Sequence, residues 1–396
     1  MNKKKIINDP LYGFINISSE LIFDVVETPV FQRLRRINQM GLADFVYPGA
    51  LHTRFHHALG AMHLMSRTLD NLRDKGHDIS AIEYESALLA ILLHDIGHGP
   101  FSHSLEGVLI KNSSHEELSL LLMEKLNQEF SGGLTLALEM FTNKYHRKFF
   151  HQLISSQLDV DRLDYLNRDS FFTGVSEGTI GAERIIKLFD LVDDEIVVEE
   201  KGIYSVENFL NARRLMYWQV YLHKTGLAAD KMLMKIIERA RHLILANNPD
   251  PNLVSTIGPH LANEFRAEAF SDTATLIDEF SALDDHDIWC AIKKWQSCDD
   301  KILAYLSKSF INRRLFKIKL TGDSESTHNE KIVNELRDKT GLAEPDLSFL
   351  YDQGTVSNAA YIKTGQKIKM LKKTGEVINI DDATDLPNIK AMSRIV

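Results

Sequence analysis

Hydrophobic positions along most of this chain follow the spacing of helices, and the polar residues between them supply helix starts. Thr28 followed by Pro29 predicts one N-terminus, because Pro is favoured at the first helical position. Ser80 and Glu83 form a capping box ahead of the run at 87–93. This run is apolar on most sides, so we expect its helix to be buried.

The middle of the chain is also predicted to be helical. Ser114 and Glu117 form a second capping box. Residues 144–169 are expected to be helical with one break, and a single long helix is expected over 206–247. Further helices are expected within 257–312.

Other segments show the alternation that is typical of strands. A hairpin is predicted around Lys201-Gly202, between the apolar stretches 196–198 and 203–205. The elements expected further on are a strand at 316–320, a helix near 328–340, and strands at 359–362, 368–371 and 377–380. We therefore expect a mainly α protein with a helical core over 1–312 and a small C-terminal α+β domain over 313–396.

Composition narrows the class of protein. Of the 396 residues, 44% are hydrophobic and 26% are charged, which is typical of globular proteins. The net charge of −9 makes a nucleic-acid partner unlikely, because coating nucleic acid requires basic surface. No apolar run is long enough for a membrane span, and no signal-like segment follows the N-terminal lysines. Cys290 and Cys298 fit no metal spacing and are interpreted as free thiols, so we expect a cytoplasmic protein.

Candidate chemistry is concentrated where the run at 87–93 ends. His94 and Asp95 are adjacent there, and His98 and His103 follow. A single His on a buried helix is usually a satisfied core residue. An adjacent imidazole and carboxylate are costly to bury unpaired, however, and together they can bind a divalent metal.

A set of motifs in order along the chain resembles the HD superfamily of metal-dependent phosphohydrolases, and within it the deoxynucleoside triphosphate triphosphohydrolases. The resemblance covers roughly residues 5–235. Its motifs are Asn8-Asp9-Pro10, Thr28-Pro29-x-Phe31-Gln32-Arg33-Leu34-Arg35, Phe45-Val46-Tyr47-Pro48-Gly49-Ala50, Arg54-Phe55-x-His57, His94-Asp95-x-Gly97-His98-Gly99-Pro100-Phe101-Ser102-His103, His115-Glu116 and Asp159-Val160-Asp161-Arg162-x-Asp164-Tyr165.

The resemblance implies one divalent metal held by His57, His94, Asp95 and Asp161. His57 is preferred over His56 because the ligand stands fourth in the family's Arg-Phe-x-His motif. Two nitrogens and two oxygens suit manganese, iron, zinc or magnesium. A metal with an open coordination position activates water.

The same resemblance implies the groups that transfer protons. His98, His103 and His115 are the candidates, with His103 expected to protonate the 5′ leaving oxygen. Glu106 and Glu116 are expected to orient nearby histidines. For Glu116 the alternative is a carboxylate that only complements the dipole of its helix.

Substrate contacts are also implied by the resemblance. Arg54, Arg162 and Arg213 match phosphate-binding positions, Gln39 and Asp169 match groups on the 3′-hydroxyl, and Tyr165 and Tyr221 match groups against the sugar, with Met40 where the family has Leu. The alternatives are a solvated basic face for Arg213 and a core aromatic for Tyr221.

The resemblance further implies a homo-oligomer with an activating nucleotide at Lys5, Gln32 and Arg35. An ordinary exposed helix face is the alternative for the last two. The function expected is hydrolysis of deoxynucleoside triphosphates to deoxynucleoside and inorganic triphosphate. Another HD phosphohydrolase, such as a nucleotidase, or a non-catalytic nucleotide-sensing module remain open.

Overall fold

The computed structural model describes residues 5–106, 108–111, 114–248, 250–253, 257–262, 265–266, 274–319, 326–358, 367–384 and 392–395. Within these ranges the protein is mainly α-helical, which confirms the predicted class. The helices are α1 (Glu20–Val26), α2 (Pro29–Gln32), α3 (Arg54–Asp74), α4 (Ala81–Leu93), α5 (Ser102–Leu105), α6 (His115–Glu129), α7 (Thr135–Phe141), α8 (Lys148–Ile154), α9 (Val160–Thr173), α10 (Ala182–Leu188), α11 (Ile203–Met216), α12 (Lys224–Leu245), α13 (Gly258–Ala262), α14 (Ala274–Ala282), α15 (Asp285–Trp295), α16 (Lys301–Ile311), α17 (Ser326–Thr340) and α18 (Ile380–Ala383).

The strands are short and lie mostly at the edges of the helical body. They are β1 (Lys5–Asp9), β2 (Gly13–Ile17), β3 (Ile110–Lys111), β4 (Phe189–Val192), β5 (Glu195–Glu199), β6 (Phe265–Arg266), β7 (Thr355–Asn358), β8 (Lys369–Leu371), β9 (Val377–Asn379) and β10 (Met392–Ile395). β1 and β2 form an antiparallel hairpin.

Helices α3, α4 and α9 form the centre of the main hydrophobic cluster. α4 begins with the predicted capping box, in which the Glu83 amide donates to Ser80 Oγ at 3.2 Å and the Ser80 amide to Glu83 Oε2 at 2.8 Å. Its residues 87–93 are all buried, as expected. Because α4 is surrounded by apolar neighbours, its C-terminus ends inside the protein, where His94 follows.

A second hydrophobic cluster is built around α12, which packs against α5, α13 and α16. Trp295 and Phe310 are fully buried within it. α15 is capped by Asp284, which accepts from Arg36 Nε, and begins with Asp285, which accepts from the Asn38 and Phe101 amides.

The hairpin predicted around Lys201-Gly202 is wrong in position. The observed hairpin is β4–β5, and its turn at Asp193-Asp194 has φ values of 52° and 60°. The chain from Ile203 onward is helical. β8 pairs with β5 in parallel and β9 pairs with β8 antiparallel, giving the strand order β4-β5-β8-β9. The C-terminal strands therefore complete a sheet that begins in the helical body.

The single helix expected over 206–247 is also wrong, because it is two helices. α11 continues into one π-helical turn at Tyr217–Tyr221, and α12 then starts after His223, whose Nδ1 accepts from the Thr225 amide at 3.2 Å. The strand expected at 316–320 is absent from its described part, 316–319, whereas α17 confirms the helix near 328–340. The segment 359–362 lies outside the described residues. Among the described residues, no helix is both long and apolar enough to cross a membrane.

Candidate active site

The four predicted metal ligands come together from three helices. His57 lies in the first turn of α3, His94 and Asp95 follow α4, and Asp161 lies in the first turn of α9. Asp161 Oδ1 lies 3.1 Å from His57 Nε2 and 3.4 Å from His94 Nε2, and Asp95 Oδ1 lies 3.3 Å from His94 Nε2. His57, His94 and Asp161 therefore form one group of potential ligands. Asp95 lies next to it and also faces a second group with His98, whose Nε2 is 3.4 Å from Asp95 Oδ1, and His115.

The outer nitrogens of both imidazoles are held by other groups. His57 Nδ1 donates to Asp164 Oδ2 at 2.8 Å, and His94 Nδ1 donates to the Ile91 carbonyl at 2.7 Å. In the neutral ring, each inner Nε2 therefore carries a lone pair, which a metal can bind in place of a proton. Both Nε2 atoms are buried and make no hydrogen bond. Inward lone pairs beside carboxylates, with the outer nitrogens fixed by hydrogen bonds, are what a divalent metal requires. The residues present fit such a metal.

The charges at this point favour a bound cation. Burial alone would lower the pKa of His57, but the adjacent Asp161 and Asp164 carboxylates outweigh it and raise that pKa to about 10. Burial likewise would raise the pKa of Asp161, yet the two histidines hold it well below its usual range. The carboxylate therefore stays ionised, and the negative potential that attracts protons to the imidazoles also attracts a metal.

Two glycines allow the helices to approach at this point. A Cβ on Gly60 would lie 2.1 Å from Asp164 Oδ1 and from Arg168 Nη2, so only glycine lets α9 pack this closely against α3. A Cβ on Gly97 would lie 2.2 Å from the Ser119 amide nitrogen. The loop after Asp95 can therefore lie directly against α6.

This loop is fixed by buried charged groups that the sequence analysis did not assign. Arg33, fully buried, donates to the carbonyls of Ile96 at 3.1 Å and His98 at 2.8 Å. Asp285 accepts from the Phe101 amide and the Asn38 amide, both at 2.8 Å. Phe101 has a φ of 48°, so this acceptor helps to hold a backbone conformation that is unfavourable for an L-residue. Arg33 stands within a quoted motif, whereas no pattern in the sequence marks Asp285.

The predicted proton-transfer residues lie along the same loop and at the start of α6. The rings of His98 and His115 stack with centroids 3.9 Å apart, and Glu106 Oε1 lies 3.0 Å from His115 Nδ1. Burial and the Arg54 guanidinium hold the pKa of His98 well below its usual range. Glu116 is exposed and lines the cavity. The His103 side chain lies outside the described part of the chain, so its role stays a prediction.

A cavity of about 990 Å³ opens beside the four ligands. Most of the residues predicted to bind substrate line it: Gln39, Met40, Arg54, Arg162, Tyr165, Asp169 and Tyr221. Arg213 is buried nearby and donates to Gln157 Oε1 at 3.2 Å. The solvated basic face considered for Arg213 is therefore wrong.

The arginines at the cavity are already held by carboxylates. Arg54 Nη1 donates to Asp95 Oδ2 and its Nη2 donates to Ser102 Oγ at 2.8 Å, while Arg162 Nη1 donates to Asp159 Oδ2. A guanidinium has five N–H donors, so one edge can hold a carboxylate while another faces a phosphate. The Nε atoms of both arginines are buried without a hydrogen-bond partner.

About two turns along α9 from Asp161, Asp169 is the centre of a buried polar group that lines the cavity. Tyr221 Oη donates to Asp169 Oδ2 at 2.7 Å, and His52 Nε2 lies 2.7 Å from Asp169 Oδ1. Burial and the nearby Asp169 raise the pKa of Tyr221 well above its usual range, so its hydroxyl remains a donor. His52 was not among the predicted site residues, because nothing in the sequence connects it with Asp169.

The residues predicted to bind an activating nucleotide lie outside this cavity. Lys5 Nζ lies 4.2 Å from the centre of the Phe23 ring, and Arg35 lies 3.5 Å above the Phe55 ring. Gln32 accepts from Arg35 Nε at 2.8 Å. Activation by a nucleotide stays a prediction.

Known proteins resemble this chain in both sequence and structure. The HD domain model matches residues 54–169, and the HD associated region matches residues 180–250. The crystal structure of a phosphohydrolase from Bacteroides thetaiotaomicron is 44% identical and superposes with a TM-score of 0.94 over 99% of this chain and 98% of its own. Uncharacterized protein YwfO from Bacillus subtilis is 32% identical over 95% of this chain and 87% of its own length.

One relative, which matches a shorter part of this chain, is named for an enzymatic activity. The deoxynucleoside triphosphate triphosphohydrolase SAMHD1 homolog of Dictyostelium discoideum is 31% identical over 58% of this chain. The match covers 48% of that relative, so this chain spans about half of its length.

Proposed function

This chain belongs to the HD-domain family of phosphohydrolases, and from that premise we propose that it hydrolyses deoxynucleoside triphosphates to deoxynucleoside and inorganic triphosphate. One observation carries the proposal. His57, His94 and Asp161 form a group of potential metal ligands with Asp95 next to it, and the cavity beside them is also lined by Arg54, Arg162 and the buried Asp169, about two turns further along α9. In a nucleotide, the negatively charged phosphates would face the metal and the arginines, and the sugar 3′-hydroxyl would face Asp169.

The metal would be held by His57, His94, Asp95 and Asp161. When bound, it supplies Lewis-acid charge and activates water for attack on phosphorus. Manganese, iron, zinc and magnesium are all compatible with this set of nitrogen and oxygen donors.

The phosphate chain would be held by Arg54 and Arg162, with Arg213 behind them. Their guanidinium groups carry charge that a triphosphate needs and a monophosphate does not. Attack of water on the α-phosphorus forms one P–O bond and breaks the bond to the sugar 5′ oxygen. The sugar oxygen then needs a proton, for which His103 is the proposed donor.

The sugar would lie against Tyr165 and Tyr221, with Gln39 and Asp169 at its 3′-hydroxyl. The rings of Tyr165 and Tyr221 are inclined by 75°, with centroids 6.3 Å apart. With the sugar placed there, these rings would leave little room for a ribose 2′-hydroxyl. The expected consequence is a preference for deoxyribonucleotides.

The test is to identify the phosphate product. We would incubate the metal-loaded protein with each deoxynucleoside triphosphate in H₂¹⁸O and record ³¹P NMR spectra, with Asp95→Ala as the inactive control. Triphosphate carrying ¹⁸O supports the proposal. Orthophosphate or pyrophosphate would indicate a different phosphohydrolase, and nucleotide binding without turnover would indicate a sensing module.

A further inference from the structure

We propose that His52 is a positioning residue for sugar recognition, which holds Asp169 as an acceptor for the 3′-hydroxyl and fixes Gln39 beside it. The inference rests on the proposed function, because it assumes that a nucleotide sugar occupies this end of the cavity. It adds a residue that touches no substrate and acts through two that do.

Asp169 has one hydrogen-bond donor on each of its two carboxylate oxygens. His52 Nε2 lies 2.7 Å from Oδ1, and Tyr221 Oη lies 2.7 Å from Oδ2. An ionised carboxylate can only accept, so Nε2 carries the hydrogen. With one donor on each oxygen the carboxylate cannot rotate, and each oxygen keeps acceptor capacity for a hydroxyl in the cavity.

The surroundings of the other nitrogen of the same ring also indicate that His52 is present for its Nε2 donor. His52 Nδ1 is buried and has no hydrogen-bond partner. An unpaired buried acceptor is unfavourable, so packing alone does not explain an imidazole at this position. The ring is stacked on Phe172, with centroids 4.5 Å apart and planes inclined by 18°. A phenyl ring would stack there without this cost, so the Nε2 donor is the feature that distinguishes His52.

The backbone of His52 holds the second residue that is proposed to bind the 3′-hydroxyl. Its carbonyl accepts from the Gln39 amide at 2.9 Å, next to an antiparallel bridge between Asn38 and Thr53. Gln39 Oε1 is itself buried without a hydrogen-bond partner, although its residue lines the cavity. His52 thus connects the two side chains proposed to meet the 3′-hydroxyl, one through its ring and one through its main chain.

Two substitutions separate the donor from the packing. His52→Phe keeps a ring on Phe172 and removes the donor. His52→Gln places an amide N–H close to where Nε2 lies and so restores a donor. If His52→Phe does not fold, His52→Asn replaces it, because its shorter amide cannot reach Asp169. Thermal midpoint and metal content are measured for every variant.

The experiment compares one deoxynucleoside triphosphate with its 2′,3′-dideoxy analogue by kcat and KM. We expect the wild type to prefer the 3′-hydroxyl strongly. His52→Phe should lower kcat/KM for the deoxynucleotide by about 10- to 100-fold, as expected when a hydrogen bond to a charged group is lost. For the dideoxy analogue, kcat/KM should hardly change, so His52→Phe should lose most of the preference for the 3′-hydroxyl. His52→Gln should recover part of this preference.

Other outcomes overturn the proposal. An equal loss for both substrates would show that His52 only supports packing, and an unchanged ratio in His52→Phe would show that it does not position Asp169. A wild type without 3′-hydroxyl preference would also refute it. If the wild type releases no triphosphate, the proposed function fails separately. In that case Kd is measured for the deoxynucleotide and for its dideoxy analogue. The ratio of the two Kd values should then be close to one in His52→Phe, as expected for kcat/KM.

Discussion

Replacing Asp164 with asparagine should weaken metal binding although all four metal ligands remain. Asp164 is fully buried and accepts from His57 Nδ1 at 2.8 Å and from Arg168 Nε at 2.9 Å and Nη2 at 3.0 Å. Every partner is a donor. An amide has only one oxygen, so in either orientation its NH₂ group faces a donor.

The substitution should lower both the affinity for metal and the free energy of unfolding, by different amounts. Removing the carboxylate partner of a ligating histidine typically lowers metal affinity about 10- to 100-fold, or about 1.4–2.7 kcal/mol. Arg168 also loses a buried counter-charge, and breaking such a pair costs about 3–5 kcal/mol. Since Asp9 still accepts from Arg168 Nη1 at 2.8 Å, we expect the lower end of that range for folding stability.

Asp9→Asn is the matched control, because it alters the other partner of Arg168 without touching His57. Isothermal titration with manganese and urea unfolding would be measured for both variants and the wild type. Both variants should be less stable, and only Asp164→Asn should bind metal more weakly. The reasoning is refuted if the folded Asp164→Asn variant binds metal as tightly as Asp9→Asn does.

Four further predictions concern the site. Asp95→Ala should remove both metal and activity while the circular dichroism spectrum stays helical; full metal content with normal turnover would contradict the ligand assignment. His103→Ala should lower kcat by roughly 10²–10⁴-fold with metal retained, the usual scale for acid–base catalysis, and metal loss would mean that its role is different. Because burial and Arg54 keep the pKa of His98 below its ordinary 6.5, the unfolded chain takes up a proton that the folded chain does not. The His98 contribution to stability should therefore fall as pH drops below 6.5, by up to about 1.4 kcal/mol per pH unit, and urea titrations of His98→Gln should show a smaller slope; part of the slope should remain, because burial also lowers the pKa of His56 and His63. Tyr221→Ala should raise kcat/KM for ribonucleotides relative to deoxyribonucleotides with less effect on phosphate binding, and an unchanged ratio would place the selection elsewhere.

The candidate metal ligands could be predicted because each of them lies in a short sequence motif. His94 and Asp95 end an apolar helix, and the ordered motifs supplied His57 and Asp161 from distant segments. His52 was not predictable, because its partner Asp169 lies 117 residues further along the chain and only the fold brings them together. The same holds for β8, which pairs with β5 although no local pattern specifies the partner of a strand.

The misplaced elements have local causes. The segment at 189–192 follows α10 directly, so its strand is hard to separate from the helical pattern, and the turn uses two aspartates rather than glycine. In the long helix prediction, the π-helical turn at Tyr217–Tyr221 keeps apolar residues at near-helical spacing, so periodicity continues where the helix does not. The alternation at 316–319 occurs in a segment without a strand partner among the described residues.

The two amides held by Asp285 have a consequence for how the protein opens. The carboxylate belongs to α15, whereas the two amides belong to Phe101, which lines the cavity, and to Asn38, which precedes the cavity-lining Gln39. Both amides are released to solvent together when α15 moves away. Their hydrogen–deuterium exchange should therefore be correlated and should proceed at the rate set by local unfolding of α15. A cavity made deep in the second hydrophobic cluster, as in Trp295→Ala, would speed exchange at both amides and loosen the loop that carries His98, although Trp295 does not line the cavity.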